Sequence, residues 1–271
     1  MRPSFTEALA VYLQRRVLVV LLLGFSSGLP IVLVGATLQA WMKTSGIDVK
    51  TIGLFAAVAL PYNIKFLWAP LVDALDVPFL ANAFGRRRAW LLLSQAWLIA
   101  AIALLGCCDP VTSAFLVAVA AFIVAAASAT QDIVVDAFRV ESLPENEQAA
   151  GMASYVAAYR VGALTSGAGA LLVVTALRGL SFGDRAAWTG CYLAMAALVL
   201  VGVLATLLAV EPPSSAAAEA EHARPSRPTL SGGRCNRRST AFAISCRASS
   251  RWRLWRLSPC SNSPTRSPSR S

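Results

Sequence analysis

Residues 17–41 read VLVVLLLGFSSGLPIVLVGATLQAW and contain no charged side chain. A helix needs about 20 apolar residues to cross the hydrocarbon core of a bilayer, so this stretch predicts a transmembrane helix. Five later stretches are also long and apolar: 51–75, 89–106, 112–137, 151–177 and 187–210. All are too long for strands, and none shows the alternation of a barrel strand. The sequence therefore predicts an all-α membrane protein with six transmembrane helices.

The composition supports the same class of protein. Hydrophobic residues make up 56% of the 271 residues and charged residues 14%, against about 25% charged residues in soluble domains. The net charge is +10, but residues 231–271 hold nine arginines and no acid. The remainder is close to neutral, so the basic charge is weak evidence for nucleic-acid binding, and we expect no nucleic-acid partner.

The sequence offers little for a metal site or for catalysis by histidine. The single histidine, His222, lies outside the apolar stretches, and no CxxC motif occurs among the six cysteines. Zinc sites and Ser-His or Cys-His catalysis therefore have no histidine in the apolar body. We expect no metal, no cofactor and no enzymatic activity.

Lysine and arginine in the short loops predict the orientation. One side carries Arg2, Arg15, Arg16, Arg139 and the arginines of the GRRR sequence at 85–88, and the other carries Lys43, Lys50, Arg178 and Arg185. Seven cations against four place the first side in the cytoplasm. Both termini are then expected to be cytoplasmic.

The composition changes after residue 212. Residues 213–230 are rich in Pro, Ser, Ala and Glu, and residues 231–271 are rich in Ser and Arg. We expect residues 1–212 to form a six-helix transmembrane unit and residues 213–271 to form a disordered Arg/Ser-rich tail. We interpret the tail as the product of an out-of-frame reading of a GC-rich gene. The alternative is a polybasic segment that rests on anionic lipid.

Ionisable residues inside the apolar stretches are candidates for function, because charges in a bilayer are costly. They are Lys65 in the second stretch, Asp132 and Asp136 in the fourth, and Arg160 in the fifth. At about 1.5 Å per residue, Lys65, Asp132 and Arg160 lie roughly 10–15 Å from the cytoplasmic surface. Two cations and one carboxylate predict a polar cavity suited to an anionic solute. The alternative is an ion pair that only holds helices together.

The two aspartates lie on one face of the fourth helix, four residues apart. Neighbouring carboxylates raise each other's pKa, which suits a proton carrier. Asp132 is the stronger candidate. Asp136 lies nearer the interface, where we expect it to pair with Arg139 or with an arginine of the GRRR sequence.

Small residues predict close helix packing. The fifth helix has a stripe at Ser154, Ala158, Gly162, Ser166 and Ala170, and Arg160 lies on the opposite face. Gly24 and Gly28 form a GxxxG pattern in the first helix. Such stripes let helix backbones approach each other. Glycine followed by Pro30 can also mark a hinge on a substrate path.

Seven short motifs in chain order resemble those of one family. They are GFSSGLP at 24–30, TLQAWM at 37–42, TIG at 51–53, KFLWAPLVD at 65–73, GRRR at 85–88, SATQDIVVDA at 128–137 and YRVG at 159–162. Together they identify a resemblance to the AmpG-type muropeptide permeases of the major facilitator superfamily, across about residues 15–212. The resemblance implies the N-terminal half of a major facilitator fold in the bacterial inner membrane.

The resemblance also implies a function and roles for residues. Anhydromuropeptides would enter the cytoplasm with protons, for peptidoglycan recycling. Lys65, Arg160 and Gln39 would bind the solute, and Asp132 and Asp136 would couple protons. Asp73 with Gly85, Arg86, Arg87 and Arg88 resembles the superfamily's loop signature, in which an acid and arginines latch the cytoplasmic side.

Members of this family have a second helical half, and transporters of this fold bind solute between the two halves. Either a second copy completes the fold, or the chain is a truncated form without transport activity, which the unusual tail favours. A carrier of another anionic solute, such as an acyl-CoA or a sugar phosphate, is an alternative function. A structural membrane protein is a further alternative. Asp132 and Asp136 also resemble the magnesium-binding acids of intramembrane prenyltransferases, but the sixth helix lacks the second acidic cluster that those enzymes need.

Overall fold

A computed structural model describes residues 11–75 and 80–211 of the chain. The residues expected to form the Arg/Ser-rich tail, 213–271, lie outside the described residues. Helix is the dominant secondary structure, and five helices of the described part are long and apolar enough to span a membrane. They are α1 (Arg15–Thr44), α3 (Arg86–Cys107), α4 (Ala114–Ser142), α5 (Glu145–Gly179) and α6 (Asp184–Leu208).

The second apolar stretch, here called α2, is not the single continuous helix that the sequence predicted. It consists of helical turns at Val49–Leu54, Phe55–Ala59, Leu60–Ile64, Lys65–Leu67 and Ala69–Ala74, two of them of the tighter 3₁₀ type. Pro61 and Pro70 each lie in the first turn of a new helical piece. Proline has no N–H to donate to the preceding turn, so the two prolines explain why the helix restarts. A short helix, Leu80–Phe84, lies between α2 and α3.

α1 and α5 each contain a π-turn, at Leu33–Thr37 and Thr165–Gly169. Gly35 has non-helical dihedrals, φ −91° and ψ −105°. The Thr37 hydroxyl donates to the carbonyl of Ser166 at 2.6 Å, which joins the two turns. In the bilayer every freed backbone carbonyl needs a donor, and Thr37 provides one here.

The core lies between α1, α3, α4 and α6. Its large buried side chains include Leu29, Leu98 and Tyr192. The indole rings of Trp41 and Trp188 stack with centroids 5.8 Å apart, which ties the end of α1 to the start of α6. α6 exposes five leucines, and α3 exposes Leu93, Trp97 and Leu104, as expected of helices that face lipid.

Candidate functional site

Close packing of α1 on α5 determines which side chains of these helices face the interior. Gly24 lies against the backbone of Tyr155, and Gly28 lies against that of Tyr159. Gly162 lies against the carbonyl of Phe25. A Cβ at any of the three glycines would overlap backbone atoms of the other helix, so glycine permits this approach. The GxxxG pattern therefore serves packing.

The small-residue stripe of α5 is buried, as the sequence predicted. Its members are Ser154, Ala158, Gly162, Ser166 and Ala170. Arg160 lies on the exposed face of the same helix. It forms no ion pair with any residue of the described part. The predicted opposition of a packing face and a charged face is confirmed, but the structure does not join Arg160 to Asp132.

Lys65 and Asp132 do meet. The ammonium nitrogen lies 3.8 Å from a carboxylate oxygen of Asp132. Asp132 is 7% exposed, whereas the side chain of Lys65 is 35% exposed. The second carboxylate oxygen of Asp132 is buried and has no hydrogen-bond partner within 11–75 and 80–211. This half-satisfied ion pair connects the break in α2 to the middle of α4.

Polar side chains surround the pair. The hydroxyl of Tyr62 on α2 is buried without a hydrogen-bond partner among the described residues, and the rings of Tyr155 and Tyr159 on α5 have centroids 6.1 Å apart. Gln131 donates from its amide nitrogen to the hydroxyls of Ser26 and Ser27, both at 3.3 Å. α1, α2, α4 and α5 therefore all contribute polar groups at this level, and the sequence analysis did not single out the tyrosines or the serines.

Two other predicted residues lie elsewhere. Asp136 contacts the guanidinium of Arg139 at 3.3 Å, the pairing that the sequence favoured for it. Gln39 is exposed near the outer end of α1 and forms no hydrogen bond within the described residues. The structure therefore does not bring Gln39 to the Lys65–Asp132 pair.

A cavity of about 490 Å³ lies beside Lys65, between α2 and α4. It is lined by charged residues of α2 and α4, namely Lys65, Asp73, Asp136 and Glu141, with apolar residues between them. The cavity extends from the ion pair toward the loop between α2 and α3. It therefore connects the two groups of residues that the sequence analysis singled out.

A buried arginine in the first turn of α3 holds three helix ends together. The guanidinium of Arg87 contacts Asp73 at 2.7 Å and Glu141 at 2.5 Å, and its Nε lies within 3.1 Å of both Glu141 oxygens. The Arg86 guanidinium donates to the Asp73 carbonyl at 2.5 Å. One arginine thus joins the inner ends of α2, α3 and α4. Glu141 was missed by the sequence analysis, which considered only the acid of the loop motif.

The first turn of α3 is also bound to the end of α6 and to Glu211 beyond it. Arg88 donates to the carbonyls of Thr206 and Leu207, both at 3.0 Å. The Glu211 carboxylate accepts from the backbone N–H of Arg87 at 2.8 Å and of Arg88 at 3.1 Å. These are orphan N–H groups at the start of α3, so Glu211 caps that helix from the end of α6.

Gly85 makes this cap possible. Its φ is +88°, a left-handed conformation that L side chains rarely adopt. The Glu211 side chain fills the space that a Cβ would occupy. A glycine is therefore required at this position both by the backbone turn and by the neighbouring carboxylate.

The sequence profile of the Major Facilitator Superfamily matches residues 20–260. The chain belongs to the Major Facilitator Superfamily. It is therefore a multi-pass membrane protein of a transporter family and not an enzyme. This excludes the alternative of an intramembrane prenyltransferase.

Curated relatives show which transporters this chain resembles. The anhydromuropeptide permease of Escherichia coli strain K12 is 45% identical over 207 residues, which is 76% of this chain and 40% of the relative. An uncharacterized protein of Haemophilus influenzae is 38% identical over 199 residues, 73% of this chain and 44% of the relative. Putative transporter AmpG 4 of Rickettsia felis is 35% identical over 164 residues, 59% of this chain and 39% of the relative.

The resemblance to AmpG-type permeases that the seven motifs predicted is confirmed. The chain spans less than half the length of these major facilitator relatives.

Proposed function

We propose that this chain forms a six-helix unit of a permease that imports anhydromuropeptides, coupled to proton entry, across the bacterial inner membrane for peptidoglycan recycling. The 45% identity to the Escherichia coli anhydromuropeptide permease supports the solute class. The observation that carries the mechanism is the ion pair of Lys65 with Asp132.

Lys65 is the proposed anchor for the solute. A cation at this depth in a bilayer is costly unless it faces water, a counter-ion or another protein unit. Its side chain is 35% exposed, so Asp132 does not enclose it. A peptide carboxylate of the solute would offset the cost on the open side. Arg160, also exposed, would supply a second cation, and Gln39 a contact nearer the outside.

Asp132 is the proposed proton carrier. When ionised it pairs with Lys65, and its second oxygen is left without a donor. Protonation would remove the counter-charge from Lys65 and favour binding of an anionic solute there. Asp136 is the weaker candidate because Arg139 already compensates its charge.

We propose that Asp73, Gly85, Arg86, Arg87 and Arg88 form a conformational latch on the cytoplasmic side. Their contacts tie the inner ends of α2, α3, α4 and α6 together. Opening this side would have to break the charge-assisted bonds of Arg87, which are among the stronger polar contacts.

We further propose that both termini are cytoplasmic and that a second helical unit, in the same protein or in a second copy, closes the open side of Lys65. A cation that is one-third exposed at mid-membrane depth cannot face lipid without a partner. If that unit belongs to the same protein, residues 1–271 alone are expected to lack transport activity.

The test is uptake of labelled anhydromuropeptide by cells that lack their own permease. A chimera carries residues 15–212 in place of the aligned segment of the Escherichia coli permease, and the 271-residue chain is measured in parallel. We expect the chimera to import the solute and the chain alone to import none. A chimera that reaches the membrane and imports an acyl-CoA or a sugar phosphate instead would overturn the solute assignment.

A further inference from the structure

A second cavity, of about 410 Å³, lies between the inner ends of α1, α4 and α6. Apolar side chains form much of its wall, including Val19, Phe138, Leu143 and Val210. Arg15 and Arg16 lie at its edge, and both are exposed. The cavity shares Glu141 with the latch but contains neither Lys65 nor Asp132.

The cavity is lined by two arginines and two acids, and both acids are engaged by groups other than these arginines. Glu141 binds Arg87, and Glu211 accepts from two backbone N–H groups of α3. Among the residues that the structure describes, Arg15 donates only to the carbonyl of Leu208, at 2.7 Å. Arg16 has no ion-pair partner among residues 11–75 and 80–211.

The C-terminal carbonyls of α6 would otherwise repel an anion at this place. Three of them are occupied by guanidinium donors, Thr206 and Leu207 by Arg88 and Leu208 by Arg15. The negative end of the helix is thereby masked. An anion that approaches Arg16 therefore does not meet free carbonyls of Thr206, Leu207 or Leu208.

We propose that this cavity binds the headgroup of an anionic phospholipid. A phosphodiester would lie at Arg15 and Arg16, and the upper part of an acyl chain would pack on Val19, Phe138 and Val210. Basic pockets between transmembrane helices suit such headgroups. The apolar wall favours a lipid over a free phosphate, because a free phosphate gains nothing from apolar contact.

A lipid bound in this cavity would affect how the helix ends pack. A lipid here would touch α1, α4 and α6 at once, next to the Glu141 and Glu211 contacts of the latch. Binding would therefore stabilise the packed inner ends of these helices. This role is independent of the transported solute.

The test uses the purified full chain in zwitterionic detergent, with native mass spectrometry of bound lipid. Phosphatidylglycerol and phosphatidylcholine with the same acyl chains are compared. We expect preferential retention of phosphatidylglycerol and a loss of about fivefold in its apparent affinity in Arg16→Gln. Arg16→Lys should retain most of the affinity, and Arg185→Gln, which removes an exposed arginine at the outer end, should retain all of it.

Melting temperatures in phosphatidylcholine alone identify any variant that is misfolded. If Arg16→Gln is misfolded, lipid retention is compared between Arg16→Lys and the wild type instead. Equal retention of the two lipids by the wild type would overturn the proposal. Unchanged preference in a folded Arg16→Gln would also overturn it. Competition by glycerol 1-phosphate as strong as that by the lipid would identify a free-phosphate site instead and would overturn the assignment to lipid.

Discussion

Gly28 of α1 lies against the backbone of Tyr159 on α5, with no room for a Cβ between them. Tyr159 immediately precedes Arg160, and Gly28 immediately follows Ser27, which binds Gln131 of α4. The contact between the two helices therefore determines both where α5 presents its exposed cation and where α1 meets α4.

Gly28→Ala tests this packing. The added methyl would overlap the Tyr159 carbonyl, and overpacking of this kind costs about 1–3 kcal/mol. We expect a lower thermal midpoint of the purified protein in detergent. Gly53→Ala is the matched control, since a Cβ at Gly53 meets nothing within 4 Å. An equal effect of the two substitutions would contradict the packing role of Gly28.

Gly85→Ala tests the cap of α3 by Glu211. Gly85 and Gly46 both have a left-handed φ, +88° and +80°. Only at Gly85 would the new Cβ meet a neighbour, the side chain of Glu211. Gly85→Ala and Gly46→Ala both carry a backbone strain of about 1–2 kcal/mol. Gly85→Ala is expected to be the less stable of the two in thermal melts, because only its Cβ also meets Glu211. Similar melting of both would show that Glu211 contributes little.

Double-mutant cycles on Arg87 test the latch. Glu141 contacts Arg87 through both oxygens and is 24% exposed, whereas Asp73 is 50% exposed. We expect a coupling energy of about 1–3 kcal/mol for Arg87 with Glu141 and below about 1 kcal/mol for Arg87 with Asp73. The readout is the midpoint of unfolding for the Arg87→Ala, Glu141→Ala and Asp73→Ala variants and their pairs. A larger coupling for Asp73 would show that Glu141 is not the principal partner.

Cysteine labelling tests the orientation. Cys107, the last residue of α3, is exposed, and Cys191 is buried. In a variant with Cys108, Cys235, Cys246 and Cys260 replaced by serine, a membrane-impermeant maleimide should label Cys107 in intact cells, and Cys107→Ser should abolish the labelling. Labelling that requires permeabilised cells would place this end in the cytoplasm and reverse the topology.

The sequence could predict features that repeat along one element. The apolar stretches predicted five of the helices, and the stripe of small residues predicted the buried face of α5. Depth along a helix predicted that Lys65 and Asp132 lie at one level, and they pair at 3.8 Å. The break in α2 could have been predicted from Pro61 and Pro70, which remove two backbone donors from the stretch.

Other features depend on how helices meet, which no spacing in the sequence records. Glu141 and Glu211 bind Arg87 in the first turn of α3 from the end of α4 and from the residues after α6. Nothing near either glutamate in the chain marks it as a partner of Arg87. For Arg160, position along the helix was not sufficient. The sequence predicted the same depth as for Asp132, but the direction of Arg160 around α5 places it on the exposed face.

The measurement that tests the mechanism most directly is the initial rate of anhydromuropeptide uptake by the chimera with substitutions at the ion pair. Lys65→Ala and Arg160→Ala should each lower the rate at least about tenfold, a loss of roughly 1.4 kcal/mol, with normal membrane insertion. Lys50→Ala, at the outer end of α2, is the matched control and should leave the rate unchanged. Asp132→Asn should weaken accumulation driven by a pH gradient more than downhill exchange. Full uptake by Lys65→Ala, or equal loss of both modes in Asp132→Asn, would contradict the assigned roles of this pair.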